Sequence, residues 1–254
     1  MPNWNKEFWE SIKQQFDLNI DGLDDRVDSV TDGRVTPALE DIAIGSGRKM
    51  RAVCLFFDIR GFTKRTSSSD LEKLKETLYM LNCVIPTVMK IIYDFNGYIE
   101  KNTGDGIMAL IGTDDDDETS ALNALKASLT IFYTLKHLIN PHLEKKGIKK
   151  VDARIGIDLG QILITRIGLP TGTSKHKRNF LTAVGPTPNI ASKIQNAAGT
   201  NEIWVGDQIK KKAPESYQQH FKIKSIEGWN WIYSGTTNKY DVWKFQAVWL
   251  DPKN

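Results

Sequence analysis

Two aspartates stand where an acid is costly. Asp58 closes the apolar run RAVCLFFDI (residues 51–59), and Asp105 sits in the turn NTGDG (residues 102–106). An acid at the end of a buried strand must be wetted, paired or bound to a metal, because isolating its charge costs several kcal/mol. If the run and the segment after the turn are central antiparallel strands, both carboxylates reach the same divalent ion or ion pair. The plainer alternative keeps Asp58 as the cap of the following helix and Asp105 as a hydrogen-bond acceptor in a hairpin turn. Between them, Ile59–Thr63 (IRGFT) offers consecutive backbone N–H groups and a glycine that permits close approach, an arrangement able to hold a phosphate ahead of a helix. The sequence contains neither GxxxxGK[ST] nor GxGxxG, so ATPase and dinucleotide-oxidoreductase readings lose their usual anchors.

Other polar clusters read more simply. The five acids from Asp114 to Glu118 lack the spaced glycine and completing ligand of a calcium loop and read as the solvated lead-in of a helix. His137, His142, His176 and His220 stay outside the proposed centre, and Cys54 and Cys83 form no CxxC pair, so both read as buried reduced thiols. The chain has 254 residues with 34 Lys and Arg against 31 Asp and Glu, a net of +3. That balance argues against a nucleic-acid coat, and the basic residues Lys175, Lys177 and Arg178 are not interleaved with the scattered tryptophans. No signal peptide or apolar run long enough to span a membrane is recognised, which makes the expected location cytoplasmic.

These residues need elements to position them. Residues 4–15, with Trp4, Phe8, Trp9, Ile12 and Phe16 at helical spacings, predict an amphipathic helix within an extension over residues 1–49. Residues 50–254 form the main domain. Arg51–Ile59 predicts a buried strand, residues 69–94 a helix, residues 97–111 a β-hairpin with Asp105 at its tip, and residues 119–143 a second long helix. VDARIGIDLG and QILITRIG predict a strand pair, followed by a loop over residues 169–180, a third helix in VGPTPNIASKIQNAA, and a final section with a short helix and at least two strands. The order implies an α+β, ferredoxin-like βαββαβ fold whose mixed, mainly antiparallel sheet is covered by helices.

FFDIRGFT (residues 56–63), NTGDGIMA (102–109) and VGPTPNIASKI (184–194) together resemble the catalytic domain of class III nucleotidyl cyclases, the adenylyl and guanylyl cyclase family, over roughly residues 50–207. The resemblance implies attack of a ribose 3′-hydroxyl on its own α-phosphate with loss of pyrophosphate, assisted by two divalent cations, Mg2+ or Mn2+. Asp58 and Asp105 would be the metal carboxylates, with the Ile59 carbonyl a further ligand. Arg60, Gly61, Phe62 and Thr63 would cradle the triphosphate. Family members are head-to-tail homodimers with shared active sites. Asn189 matches the ribose-positioning asparagine, and Lys193 stands where the family has an arginine for the developing negative charge. Lysine supplies that charge without the rigid five-donor fork. Read without the family, Asn189 caps helical backbone and Lys193 is a solvated residue. Ser234 occupies the expected place of a second basic phosphate residue, leaving Lys239 and Arg166 as substitutes.

Lys101 and Thr182 match the family's base-recognition positions. Lysine donates and threonine does both, so the pair suits adenine or the carbonyl edge of uracil. The loop PTGTSKHKRN and the lysine at 193 look like bacterial pyrimidine cyclases that make cyclic UMP or cyclic CMP in antiphage signalling, with the product sensed by a separate effector. UTP is the favoured substrate, with cytidylate or adenylate cyclase as alternatives. A further alternative is a catalytically inactive cyclase-like module that binds nucleotide or a partner.

Overall fold

A computed structural model describes residues 21–32, 41–169 and 179–248. The helix expected at residues 4–15 and the loop residues 170–178, with Lys175, His176, Lys177 and Arg178, lie outside the described residues. In chain order the elements are α1 (Leu23–Asp28), β1 (Thr31–Asp32), β2 (Gly47–Ile59), α2 (Phe62–Arg65), α3 (Leu71–Asp94), β3 (Gly97–Asn102), β4 (Gly106–Ile111), α4 (Asp117–Thr134), a π-helical turn (Leu135–Ile139), α5 (Asn140–Lys145), β5 (Ala153–Gly168), β6 (Asn179–Val184), α6 (Pro186–Ala197), β7 (Glu202–Gly206), α7 (Asp207–Lys212), α8 (Glu215–Gln218), β8 (Phe221–Lys224) and β9 (Val242–Phe245). They divide into two compact units, Arg51–Ile162 with Gly185–Asn254 and Met1–Met50 with Leu163–Val184.

In the larger unit the succession β2, α3, β3, β4, α4, β5 is the expected βαββαβ order, and the sheet runs β3-β4-β2-β5-β7-β9-β8. It is mixed and mainly antiparallel: β2–β4, β3–β4, β7–β9 and β8–β9 are antiparallel, while β5–β7 is parallel. Alternation along β2 sends Val53, Leu55, Phe57 and Ile59 into one core with Ile107, Ala109 and Ile111 of β4, Met80, Val84 and Val88 of α3, and Ala121, Ala124 and Leu125 of α4. Burying each large side chain of this set contributes about 1.5–3 kcal/mol. The opposite residues, Cys54, Phe56 and Asp58, therefore lie on the other sheet face. There α6, through Ile190 and Ile194, packs on Trp204, Trp229, Tyr240 and Val242, so these tryptophans are core residues.

Local chemistry sets the helix boundaries. Asp70 accepts from the Glu72 and Lys73 N–H groups and caps α3, an interaction worth about 1 kcal/mol. Asp116 accepts from Thr119 N–H at 2.7 Å and caps α4, while Asn96 donates to Asp114 and Asp115. The acidic run is thus a helix lead-in. The second long helix continues through the π-turn into α5 just before Pro141, which lacks the N–H that a regular turn uses.

One expectation is corrected. VDARIGIDLG and QILITRIG form one continuous strand, β5, of 16 residues rather than a strand pair. Gly160, which resembled a turn residue, serves a close approach: a Cβ there would lie 2.5 Å from Thr187 Oγ1 of α6.

In the smaller unit β6 pairs antiparallel with the end of β5 from Leu163↔Val184 to Gly168↔Asn179, and β1 pairs parallel with the start of β2. Ile167, Phe180 and Val184 on this ribbon are exposed.

A buried acid outside the catalytic candidates supplies a pH prediction. Asp158, 1% exposed, accepts from Tyr240 O–H at 2.6 Å, and burial pushes its carboxyl up to about 8. Neighbouring Asp207 raises it further, whereas Arg51, the Tyr240 hydrogen bond and the Leu159 N–H lower it. The folded state therefore holds a proton that the unfolded chain releases near pH 4, and stability falls as pH rises between roughly 4 and 8. Asp158→Asn is expected to flatten that decline in a series of thermal melts from pH 5 to pH 8.5. An unchanged slope would exclude Asp158 as its source.

Candidate active site

β2 delivers Asp58 to the site. Asp58 pairs in register with Gly106, the first residue of β4, and the next amide, Ile59 N–H, donates to the Asp105 carbonyl at 3.1 Å. The hairpin tip is therefore tied to the end of β2. Thr103 N–H donates to the Gly106 carbonyl, and Gly104 N–H donates to Asn102 Oδ1 at 2.8 Å. Gly106 is required by close packing, since a Cβ would lie 2.8 Å from Thr103 Oγ1 and 3.1 Å from the Phe57 carbonyl.

The two acids sense each other. Burial raises the Asp105 carboxyl above its usual value, the negative charge of Asp58 raises it further, and its backbone hydrogen bond and Arg154 oppose the shift. Asp58 is itself paired with Arg154. Two carboxylates with a backbone carbonyl are oxygen donors of the kind a hard divalent cation takes, one that keeps waters and accepts phosphate oxygens. No group of three or more His, Cys, Asp or Glu side chains converges on a common point among the described residues. An ion at Asp58 and Asp105 would therefore take its remaining ligands from water or substrate.

Asp58 does not cap α2, whereas the Asp105 carboxyl takes a backbone hydrogen bond, as the plainer reading of the turn expects. The residue at the N-terminal boundary of α2 is Gly61, at φ 69°, with no side-chain cap bond. In the IRGFT segment two N–H groups are already committed, Ile59 to Asp105 and Arg60 to the Asp152 carbonyl at 2.8 Å. Gly61, Phe62 and Thr63 lie where N–H groups have no intrahelical partner.

Arg154 of β5 is the residue that sequence reasoning missed. Its Nε donates to Asp58 Oδ2 at 2.9 Å, while Nη1 and Nη2 donate to the Asn196 carbonyl and Oδ1 at 2.7 and 3.2 Å. One guanidinium thus links Asp58 to the end of α6. The signal was an arginine alternating in phase with Gly156, Asp158 and Gly160, opposite the buried apolar face of Ile155, Ile157 and Leu159.

α6 lies close against β5. A Cβ on Gly156 would fall 2.3 Å from Gln195 N and 2.5 Å from the Ala191 carbonyl, and Thr187 Oγ1 donates to the Gln161 carbonyl. This packing turns Asn189 and Lys193, four residues apart, onto one exposed helix face. Asn189 is not a cap, because α6 begins at Pro186 after Gly185. Within one chain, no hydrogen bond or ion pair among the described residues joins Asn189 or Lys193 to Asp58 or Asp105.

The remaining candidates are dispersed. Lys101 on β3 holds its ammonium 3.3 Å from Glu100 Oε2. Thr182 is buried on β6 opposite Thr165 in the smaller unit. Arg166 is committed to structure there, with Nε and Nη2 donating to Asn179 Oδ1 and Nη1 to the Ile42 carbonyl. Lys239 lines an open polar cleft of about 610 Å³ with Lys210, Lys211, Ser234 and Asn238.

Comparison with known proteins identifies the family of the chain. The family model of the adenylate and guanylate cyclase catalytic domain matches residues 46–230. A cytidylate cyclase of Staphylococcus aureus is 30% identical over 161 residues, covering 62% of this chain and 36% of that protein. A uridylate cyclase of Pseudomonas aeruginosa is 29% identical over 202 residues, 74% of this chain and 38% of that protein, and an Anabaena cylindrica relative is an adenylate cyclase. The chain spans between about a third and a half of the length of these relatives. The crystal structure of the guanylyl cyclase Cya2 superposes with a TM-score of 0.64 at 22% identity, covering 82% of this chain and 97% of that one, a likeness of fold. With the family model covering most of its length, the chain belongs to the class III nucleotidyl cyclases, the adenylate and guanylate cyclase catalytic domain family.

Proposed function

We propose that the protein cyclises a nucleoside triphosphate, UTP in preference, to its 3′,5′-cyclic monophosphate and pyrophosphate. The observation that carries the reading is the juxtaposition of Asp58 and Asp105 at the tied ends of β2 and the hairpin, where Ile59 N–H donates to the Asp105 carbonyl. In the reaction the ribose 3′-oxygen bonds to the α-phosphorus, the bond from that phosphorus to the bridging oxygen of the β-phosphate breaks, and the hydroxyl proton leaves to solvent. When bound, two divalent cations supply a lowered hydroxyl pKa and neutralisation of phosphate charge. Asp58, Asp105 and the Ile59 carbonyl hold them. Arg154 orients Asp58 and supplies positive charge beside the phosphates once its bond to Oδ2 is given up. Gly61, Phe62 and Thr63 present N–H groups to the triphosphate, with Arg60 at their edge. Asn189 orients the ribose and Lys193 carries the charge for the α-phosphate in the transition state.

Because Asn189 and Lys193 face outward from α6, a second copy of the chain brings them to the acids, and the reading is of a homodimer with shared sites. The exposed Ile167, Phe180 and Val184 in the smaller unit offer apolar surface for such a partner. Lys239, which forms no ion pair among the described residues, is better placed than Arg166 as the second basic phosphate contact. Lys101 and Thr182 read the base. A cytoplasmic enzyme whose product is a second messenger for a separate antiphage effector completes the reading. No helix among the described residues is long and apolar enough to cross a membrane.

A catalytically inactive nucleotide-binding module is the second reading, favoured by lysine at position 193 and by the guanidinium on Asp58. A parallel assay of UTP, CTP, ATP and GTP with Mn2+ or Mg2+, with products identified by mass, separates the two. UTP is expected to give the largest yield of 3′,5′-cyclic product. Product from none of the four would overturn the enzyme reading, and CTP or ATP in first place would overturn the base assignment alone.

A further inference from the structure

The β3–β4 ladder contains one irregularity, and it falls at Lys101. The register runs Tyr98↔Leu110 and Ile99↔Ala109, then jumps to Lys101↔Met108, so Glu100 is the extra residue of a β-bulge. In a regular strand, adjacent residues point to opposite faces of the sheet. Glu100 and Lys101 nevertheless meet: the Lys101 ammonium lies 3.3 Å from Oε2 and 3.5 Å from Oε1 of Glu100. The two are unequally exposed, the Glu100 side chain at 2% and Lys101 at 47%.

The face on which they meet is that of Asp58. Met108, the partner of Lys101, pairs with Phe56 of β2, two residues from Asp58 and in phase with it. That spacing is about 7 Å along the strand. Burial pushes the Cys54 thiol up, and the charges of Asp158 and Glu100 add to the shift. A carboxylate kept from water costs several kcal/mol unless a partner meets it. The bulge sets the next residue's ammonium beside this carboxylate as an ion pair, although the buried Oε2 completes no hydrogen bond among the described residues, and leaves that ammonium at the surface.

We infer that Glu100 is a positioning residue for base selection: through the bulge it holds the Lys101 ammonium at a fixed point, where it donates to an exocyclic oxygen of the base, O4 of uracil, and disfavours a base with an amino group there. This rests on the reading of the protein as a nucleotide cyclase and deepens it by assigning a residue to the choice of base. A tethered donor discriminates more sharply than a freely rotating lysine, because an ammonium that cannot retreat is left facing the N–H of an amino group.

The test is equilibrium binding of UTP, CTP, ATP and GTP by calorimetry, with Ca2+ as the cation, to the wild-type chain, Glu100→Gln, Lys101→Met and the double variant. The wild type is expected to prefer UTP over CTP. Glu100→Gln keeps the shape and removes the tether's charge, and should reduce that preference about tenfold. Lys101→Met should do the same, and the double variant should be no worse than either single change. Should the glutamine variant not fold, Glu100→Asp carries the test with an intermediate preference. An unchanged UTP-to-CTP ratio, or equal weakening of all four nucleotides as a purely structural role would give, overturns the inference. If the wild type forms no cyclic product while the binding ratio still responds to Glu100→Gln, the cyclase reading fails and this inference stands. Failure to bind any nucleotide overturns both.

Discussion

Asp58→Asn is expected to remove metal-dependent turnover by roughly a thousandfold or more while leaving the chain folded. The substitution keeps the shape of the side chain and an oxygen for Arg154 Nε, which now lies 2.9 Å from Oδ2. It removes the charge that, in the proposed site, would hold a cation beside Asp105. Arg154 retains both of its bonds to Asn196, so the structural loss is that of one charge-assisted hydrogen bond, about 1.5–3 kcal/mol at most. Turnover and thermal melting measured on the same preparation separate the effects. Turnover near wild type in Mn2+ would remove Asp58 from the metal site, and a collapsed melting transition would make it structural.

Gly156→Ala should strongly destabilise the larger unit. Its new Cβ would meet Gln195 N at 2.3 Å, Gln195 Cβ at 2.4 Å and the Ala191 carbonyl at 2.5 Å, two of them backbone atoms that no rotamer change can clear. β5 and α6 must therefore separate, loosening Ile190 and Ile194 from Trp204. Such overpacking costs about 3 kcal/mol. The same displacement moves Asn189 and Lys193, and a misplacement of about 1 Å can cost a hundredfold in rate. Denaturant unfolding gives the first quantity, and turnover well below the melting temperature gives the second. Wild-type values of both would show that α6 is not held in place by its approach to Gly156.

The acids were legible because their cost is local: an aspartate ending an apolar strand and another in a glycine turn are conspicuous without tertiary knowledge. Periodicity likewise gave α3, the β3–β4 hairpin, α4 and α6. What escaped depends on partners distant in sequence. Arg154 reads as one charge in a strand until β2 and α6 bring Asp58 and Asn196 to it. Gly160 followed by a polar residue resembles a turn, and only Thr187 on α6 explains why the strand continues. The bulge at Glu100 has no local mark, since Glu-Lys in a strand implies opposite faces. The matched motifs assign Asn189 and Lys193 a role, but the fold places them on an exposed face with no hydrogen bond or ion pair to the acids of their own chain among the described residues.

That separation gives the most direct test. Asp58→Asn and Asn189→Ala chains, each inactive alone, are denatured together, refolded as a mixture and assayed for cyclic nucleotide with Mn2+. The mixed dimer contains one site with both defects and one with neither, so activity should return to about a quarter of wild type, given random pairing. Mixed dimers that are demonstrably formed yet remain inactive would contradict a site in which one chain supplies the metal carboxylates and the other supplies the face of α6.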